Sequence, residues 1–300
     1  MKKIITCFRA PFFTAIIVPV IFGSVLGYAK TGQMNWLFFI LTLIGAIAAH
    51  GGANTANDYY DYLSGCDVNN PNRTPFSGGS EAIVRGECSP RYFLLLSGTS
   101  FLIALICGVY LVMSIENGLL VLGTLSILGF TFGFFYTAPP FKFAYRGFGE
   151  LMIALGFGPL PVAGAYFVQT GEITLYPFIM SIPITFFILN IIWINEFPDI
   201  DTDRNAGKFT LVVRLGGEKA RYIYMLFYLA AYISIIPLVF SLKASPLLFI
   251  VWFTLPLAMK AVAVCFANYN SVKSLIPAMG MTILIHLLGG VLLTTAILLA

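Results

Sequence analysis

Charge is scarce in this sequence. Lys and Arg number 17 and Asp and Glu 13 in 300 residues, a tenth of the chain. A soluble globular domain carries roughly 25% charged residues, so these polar groups are too few to coat a water-exposed globule. Histidine is scarcer still: His50 and His286 each stand alone in apolar runs and read as core or bundle-facing residues. The five cysteines (Cys7, Cys66, Cys88, Cys107, Cys265) form no CxxC pair and no metal-ligand spacing. They read as small buried hydrophobes and give no sign of an oxidising compartment. The chain has no low-complexity tract and no appended polar domain, and no nucleic-acid partner is expected. Strict apolar–polar alternation over about 10 residues, the mark of a transmembrane β-strand, is also missing. What is abundant is apolar: 59% of residues, with 28 Phe, which excludes disorder.

Nine segments carry the roughly 20 apolar residues that cross a hydrocarbon core: 11–29, 34–53, 92–113, 118–137, 150–168, 175–194, 222–240, 245–267 and 275–299. Most are apolar on every face, as lipid-covered or bundled helices are. The fold class expected is therefore all-α: a polytopic bundle of nine transmembrane helices forming a single domain over residues 1–300. The opening MKKIITCFRA and its apolar run could be taken for a signal peptide. Pro11 and Pro19 interrupt that run and the small residues are badly placed for cleavage, so retention is expected.

Orientation follows from the basic residues. With the N-terminus in the cytoplasm, fourteen Lys and Arg fall inside, Lys2, Lys3 and Arg9 among them, while only Lys30 and Lys243 fall outside. Lys260 lies within the eighth span, where its stem can snorkel. The outer connections are short, whereas two inner ones, 54–91 and 195–221, are long and polar. A membrane spacer needs no such loops, so function is sought in them.

Both inner connections are acidic. The second span runs into GGANTANDYYDYLSGCD, with Asn54, Asn57, Asp58, Asp61 and Asp67. On a helix Asn57 and Asp61 share a face, and so do Asn54 and Asp58. The sixth span runs into INEFPDIDTDRNAGKFT, with Asn195, Asp199 and Asp203 at four-residue steps, flanked by Glu196 and Asp201. The two runs lie 138 residues apart, Asn57 to Asn195, yet on one side of the membrane. So many carboxylates at a low-dielectric boundary repel one another unless a cation compensates. Hard oxygen donors of this kind suit Mg²⁺, which bridges carboxylates to substrate phosphates. Helix capping accounts for one or two of these side chains, but not for a matched pair of runs.

Basic groups stand beside the acids: Arg73 after the first run, Lys142 and Arg146 in YTAPPFKFAYRGFGE, and Arg204 and Lys208 after the second. Positive-inside bias places several there in any case. Their coincidence with the acidic runs suggests a diphosphate held by Mg²⁺ on one side and by ammonium or guanidinium groups on the other. The string SGGS (Ser77, Gly78, Gly79, Ser80) could offer backbone N–H groups to an anion.

Together NDYYDYLSGCD, YTAPPFKFAYRG and NEFPDIDTDRNAGKFTLVVRLG resemble the UbiA superfamily of intramembrane prenyltransferases, and within it the branch acting on 1,4-dihydroxy-2-naphthoate in menaquinone synthesis. The resemblance covers nearly the whole chain. It implies that Asn57, Asp61 and Asp67, with Asp58 as an additional acid, form the first metal-binding motif, and Asn195, Asp199 and Asp203 the second. It implies that Lys142 binds diphosphate, with Arg73, Arg146, Arg204, Lys208, Asn57 and Asn195 as further contacts. Asp61, Asp199, Lys142 and a tyrosine, Tyr136 or Tyr145, would then be catalytic. Asp61 and Asp67 are spaced more widely than in many members, as are Tyr136 and Lys142, and the second departure leaves Tyr145 a rival to Tyr136.

The chemistry so implied is Mg²⁺-dependent transfer of a polyprenyl group from its diphosphate to a small aromatic acceptor, with loss of the ring carboxylate in the naphthoate branch. The lipid bilayer receives the product's tail, and the site opens to the cytoplasm from the cell membrane. Other acceptors fit the same chemistry: 4-hydroxybenzoate, homogentisate, a chlorophyllide or a glycerol-phosphate lipid. From a different class, a cation-coupled transporter would use the acids as its ion site, but it would hold them near the bilayer midplane rather than at span ends.

Overall fold

The computed structural model describes residues 7–68 and 70–300, apart from the side chain of Ala10; Lys2 and Lys3, part of the charge count, lie outside the described residues. Among the described residues the chain is helical, without strands. Seven helices are long and apolar enough to span a membrane: α1 (Pro11–Thr31), α2 (Trp36–Leu63), α3 (Pro90–Ser114) and, after α4, α5 (Gly149–Thr170), then, after α6, α7 (Gly217–Phe240), α8 (Pro246–Asn268) and α9 (Val272–Leu298). Two apolar helices between them are shorter: α4 (Gly118–Phe134) and α6 (Ile182–Asn195). The protein is an integral membrane protein.

The differences from the expected spans have local causes. The sixth expected span is divided at Ser181, where the turn Leu175–Met180 ends and α6 begins with Pro183 in its first turn. That leaves α6 with 14 residues, about 21 Å at 1.5 Å per residue, short of a hydrocarbon core of about 30 Å. Conversely, α2 does not stop at residue 53. It continues unbroken to Leu63, so the first acidic run is helical and projects beyond the apolar stretch.

Helix starts are set by side chains accepting from the first turn: Asn35 from the Phe38 N–H at 3.1 Å, and Ser89 from the Tyr92 N–H at 3.3 Å. The helices then pack α2 on α3, α1 on α5, α6 on α7 and α9, and α8 on α9. Gly23 on α1 makes one such contact possible, since a Cβ there would collide with the Val162 carbonyl on α5. Without a hydrophobic drive between helices in lipid, close backbone approach and interhelical hydrogen bonds carry the association. Trp193 Nε1 donates to the Ala220 carbonyl at 2.8 Å, joining α6 to α7, and Tyr232 and Thr254 share a 2.8 Å hydrogen bond between α7 and α8. Large apolar side chains such as Leu95, Ile106 and Leu119 face outward on α3 and α4, as a lipid-facing surface requires.

The ends of the bundle differ in character. At one, Lys30 pairs with Glu172 and the Asn35 N–H donates to Gln169 Oε1 at 2.9 Å, closing two short connections against each other. At the other gather the start of α1, the ends of α2 and α6 and the long loops that follow them. The five cysteines are all buried and none is disulfide-bonded.

Candidate active site

The last two turns of α2 and the segment after α6 meet at that second end, and the two acidic runs are directly bonded to each other. Asn70 Nδ2 donates to Asp199 Oδ1 at 2.7 Å, and the Cys66 thiol donates to Asp203 Oδ1 at 2.9 Å. Lys208 Nζ stands between Asp61 Oδ2 at 3.0 Å and Asp203 Oδ1 at 3.7 Å, with only 13% of its side chain exposed. These contacts enclose a cavity of about 180 Å³ that continues into the bundle. One water needs only about 10–15 Å³ of such space, so the volume admits a much larger polar group.

Of the residues expected in the site, Asn57, Asp61, Asp67, Asn195, Asp199, Asp203, Lys208 and Tyr136 line this cavity. Asn54, Asn57 and Asp61 lie on the inward side of α2. Asp58, one residue from Asn57, is turned away and buried, facing Arg9 Nη1 at 3.7 Å. Asp199 immediately precedes the short helix Ile200–Asn205, whose first turn carries Asp203. The helix then ends in a turn in which the Lys208 N–H donates to the Asp203 carbonyl at 2.8 Å, fixing the base of the lysine beside the carboxylate it neutralises.

The remaining expected residues stand off the cavity wall. The Tyr145 hydroxyl donates to Asp61 Oδ1 at 2.9 Å and lies 2.7 Å from Ser64 Oγ, so it touches the acid from behind. Lys142 Nζ lies 5.0 Å from the centre of the Tyr145 ring. Arg73 donates to the Asp67 carbonyl and braces the loop. Arg146 donates to the Pro140 carbonyl at 3.1 Å, and Arg204 to the Val213 carbonyl at 3.3 Å with Asp201 at 3.5 Å.

Other residues enter that sequence reasoning passed over as site groups. Arg9 lines the cavity and donates to the Phe76 carbonyl at 3.3 Å. Its place just before the first span was the available signal, but it read as ordinary positive-inside charge. Asn70 had no signal at all, being one asparagine in a polar loop. His50 lies two turns before Asn57 at the apolar end of the cavity, its ring set edge-on to Phe157 at 4.7 Å. Glu196 lines the wall beside Asn195. Gly78 and Gly79 of the SGGS string also line it, and at Gly79 (φ +72°) a Cβ would collide with Asp67 Oδ2. Glycine is needed there because the loop lies directly over the carboxylate.

Electrostatics follow from this crowding. Burial, then the charges of Asp61 and Asp58, pushes the Asp67 carboxyl up to about 8. Burial and the Asp203 charge push Asp199 up to about 7, and Glu196 lies well above the ordinary range through burial and the nearby Glu150. Burial works against the Lys208 charge, but Asp203 and Asp61 outweigh it and hold the ammonium well above its usual value. The carboxyl shifts come from burial first and from neighbouring acids second, and the Lys208 shift from the two carboxylates it pairs with.

The donor set suits a hard divalent cation. Asp67 Oδ2, Asn195 Oδ1 and both Glu196 oxygens are buried without hydrogen-bond partners, and buried oxygens of that kind call for a donor or a cation. Among the described residues no three His, Cys, Asp or Glu side chains stand close enough to hold an ion by themselves. That matches Mg²⁺, which takes one or two carboxylates and fills its shell with water and phosphate oxygens. Deeper in, Ala53, Gly133, Ile153, Phe157, Ile188 and Ile191 form an apolar wall.

Residues 16–298 match the UbiA prenyltransferase family. The chain is 32% identical over 289 residues to a 1,4-dihydroxy-2-naphthoate octaprenyltransferase of Bacillus subtilis (strain 168), covering 96% of this chain and 89% of that protein. Among solved structures, the apo form of a UbiA homologue from Aeropyrum pernix K1 superposes with a TM-score of 0.68 at 16% identity, covering 95% of this chain and 97% of that one. A UbiA homologue from Archaeoglobus fulgidus bound to DMAPP and Mg²⁺ gives a TM-score of 0.65 at 18% identity, covering 98% and 99%. These two likenesses show a shared fold.

Proposed function

The chain belongs to the UbiA prenyltransferase family, and on that premise we propose that it transfers a polyprenyl group from an allylic diphosphate to an aromatic acceptor, 1,4-dihydroxy-2-naphthoate foremost. The observation that carries this reading is the junction of two acidic runs around one cavity, through Asn70–Asp199, Cys66–Asp203 and the Lys208 ion pairs. The acceptor is suggested by the Bacillus subtilis relative, whose name specifies that naphthoate.

Mg²⁺, when bound, neutralises the diphosphate and the negative charge that grows on its leaving oxygen. Asp61, Asp67, Asp199 and Asp203, with Asn57 and Asn195, are the residues from which one or two carboxylates would hold it directly, the others reaching it through water. Lys208 and Arg9, the Lys and Arg side chains on the cavity wall among the described residues, would face the same diphosphate and favour its departure. The allylic carbon then lies toward the apolar wall, where Ile188 and Ile191 exclude water. Tyr136 and Phe157 line the cavity, and an aromatic face turned to a developing cation would contribute about 0.5–2 kcal/mol. As the C–O bond breaks and diphosphate leaves with its electron pair, the electron-rich acceptor ring supplies the pair for the new C–C bond. The ring regains aromaticity by losing its carboxylate as CO2 in the naphthoate, or a proton in an acceptor substituted at a C–H.

We further propose nine crossings, with α4 and the pair Leu175–Met180 and α6 completing the two shorter passages, and the acidic end facing the cytoplasm of the cell membrane. Fourteen basic residues on that side against two on the other support this orientation. Carboxylates gathered at one end of the bundle support interfacial chemistry over cation transport.

The test is incubation of the purified protein with Mg²⁺, a polyprenyl diphosphate and a panel of phenolic and naphtholic acids, with products read by mass. A prenylated naphthol is expected. Failure of every acceptor in the panel, with the diphosphate left intact, would sink the proposal.

A further inference from the structure

Asp61 and Asp203, one from each acidic run, already share a cation in the structure: the Lys208 ammonium, 3.0 Å from one and 3.7 Å from the other. This is not a surface pair. Asp61 and Asp203 are 3% and 4% exposed, and the lysine side chain 13%. An ammonium with two carboxylate neighbours here occupies the place between the runs that a divalent ion bridging them would take. The other carboxylates are differently placed. Asp199 is held by Asn70, and Asp58 by Arg9.

We infer that Lys208 is an internal counter-ion that a divalent metal must displace from Asp61 and Asp203, and that the freed ammonium turns to the diphosphate arriving with the metal. The inference rests on the metal–diphosphate reading above and adds an order of binding to it. Metal alone gains two carboxylates but leaves an ammonium beside a double positive charge in a poorly solvated cavity, which is costly. Metal with diphosphate supplies the anion that the displaced ammonium requires. The site therefore discriminates against free metal and accepts the metal–diphosphate pair, a positive coupling between two ligands.

The local structure permits the movement. The backbone of Lys208 is anchored by its hydrogen bond to the Asp203 carbonyl, so only its flexible four-carbon stem has to change rotamer. The centre of the Tyr145 ring lies 6.0 Å from Nζ. Lys142 is not placed for this role, since it stands outside the cavity wall.

The experiment measures Mn²⁺ affinity of the full chain in detergent, from the electron spin resonance of the free ion, with and without inorganic pyrophosphate, each titration referred to a protein-free one that measures Mn²⁺–pyrophosphate complexation. In the wild type, pyrophosphate is expected to tighten Mn²⁺ binding by about tenfold or more. In Lys208→Met, Mn²⁺ alone is expected to bind about tenfold tighter than in the wild type, and the pyrophosphate effect to shrink. Lys208→Arg keeps the charge and is expected to keep the coupling. Mn²⁺ affinity in Lys208→Met that is unchanged or weaker overturns the inference while leaving the proposed function standing. Equal Mn²⁺ affinity with and without pyrophosphate in the wild type overturns it too, and needs no variant to fold. A wild type that binds no Mn²⁺ even with pyrophosphate removes the metal–diphosphate reading itself, and the exchange with it.

Discussion

Asn70 Nδ2 donates to Asp199 Oδ1 at 2.7 Å, so an uncharged loop residue clasps the first aspartate of the second run. The same side chain accepts from the Asn72 N–H at 2.8 Å through Oδ1, which fixes the amide's orientation and leaves its N–H to Asp199. The clasp holds together two parts of the chain that share no helix.

Asn70→Ala removes the donor and leaves the Asp199 oxygen facing other acids. A lost hydrogen bond to a charged group costs about 1.5–3 kcal/mol, so kcat/KM is expected to fall roughly 10- to 100-fold. Asn70→Asp, which sets like charges in contact, is expected to fall further. Steady-state kinetics at saturating acceptor reads both, and an Asn70→Ala enzyme with wild-type kcat/KM would deny the clasp a role.

Tyr145 and Lys142 carry different expectations from Lys208. Tyr145→Phe loses one hydrogen bond to Asp61 and is expected to cost about tenfold in kcat while the protein still folds. Lys142→Ala removes a charge outside the cavity wall and is expected to cost less than Lys208→Ala, which unpairs two buried carboxylates. A larger loss from Lys142→Ala would move the diphosphate away from the cavity described here.

Gly79→Ala places a methyl group against Asp67 at a backbone φ of +72°. Left-handed strain and the collision act together, at about 1–3 kcal/mol for the strain alone. A lowered melting temperature and lost turnover are expected, both measured on detergent-solubilised protein. A neighbouring control, Gly86→Ala, meets only the strain (φ +70°) and no atom within 4 Å, so its effect should be confined to stability.

Chelation separates the enzymatic reading from a purely structural use of the acids. EDTA is expected to abolish prenyl transfer and Mg²⁺ to restore it, with Na⁺ ineffective, since the donors are hard oxygens without sulfur or imidazole. Transfer that continues at full rate in EDTA would exclude the metal.

The thiols give a check on the packing itself. Cys7 and Cys88 lie 3.8 Å apart, both buried, and burial together with the Cys88 thiol pushes Cys7 up to about 12. Raising a thiol's value keeps it protonated and unreactive at lower pH. Maleimide at pH 7 is therefore expected to label none of the five cysteines in the native protein and all five after denaturation, counted by intact mass. Rapid native labelling at Cys7 would contradict its burial.

Sequence reasoning reached the parts of this protein governed by short-range rules. Apolar runs of about 20 residues announce membrane helices whatever surrounds them, and the end of such a run places Asp61 and Asp199 near an interface. It misjudged lengths where the backbone follows local chemistry that hydropathy ignores. Pro183 starts α6 late, and good helical hydrogen bonding carries α2 ten residues past its apolar stretch. Within the site, spacing alone set Asp58 and Asp61 on a par. The rotation of α2 about its axis, fixed by its packing on α3, turns Asp61 into the cavity and Asp58 toward Arg9.

By itself, then, the chain determined a lipid-embedded helical bundle, two acidic runs at one end of it, and a surplus of cations beside them, because each depends on composition within a window of a few turns. Tertiary structure alone decided that Lys208 rather than Lys142 stands between the carboxylates, that Tyr145 braces Asp61 while Tyr136 lines the cavity, and that Asn70 and Arg9 belong to the site. Those choices depend on loop paths and helix rotations, which are fixed by contacts between residues 67 to 147 positions apart and leave no periodic trace along the chain.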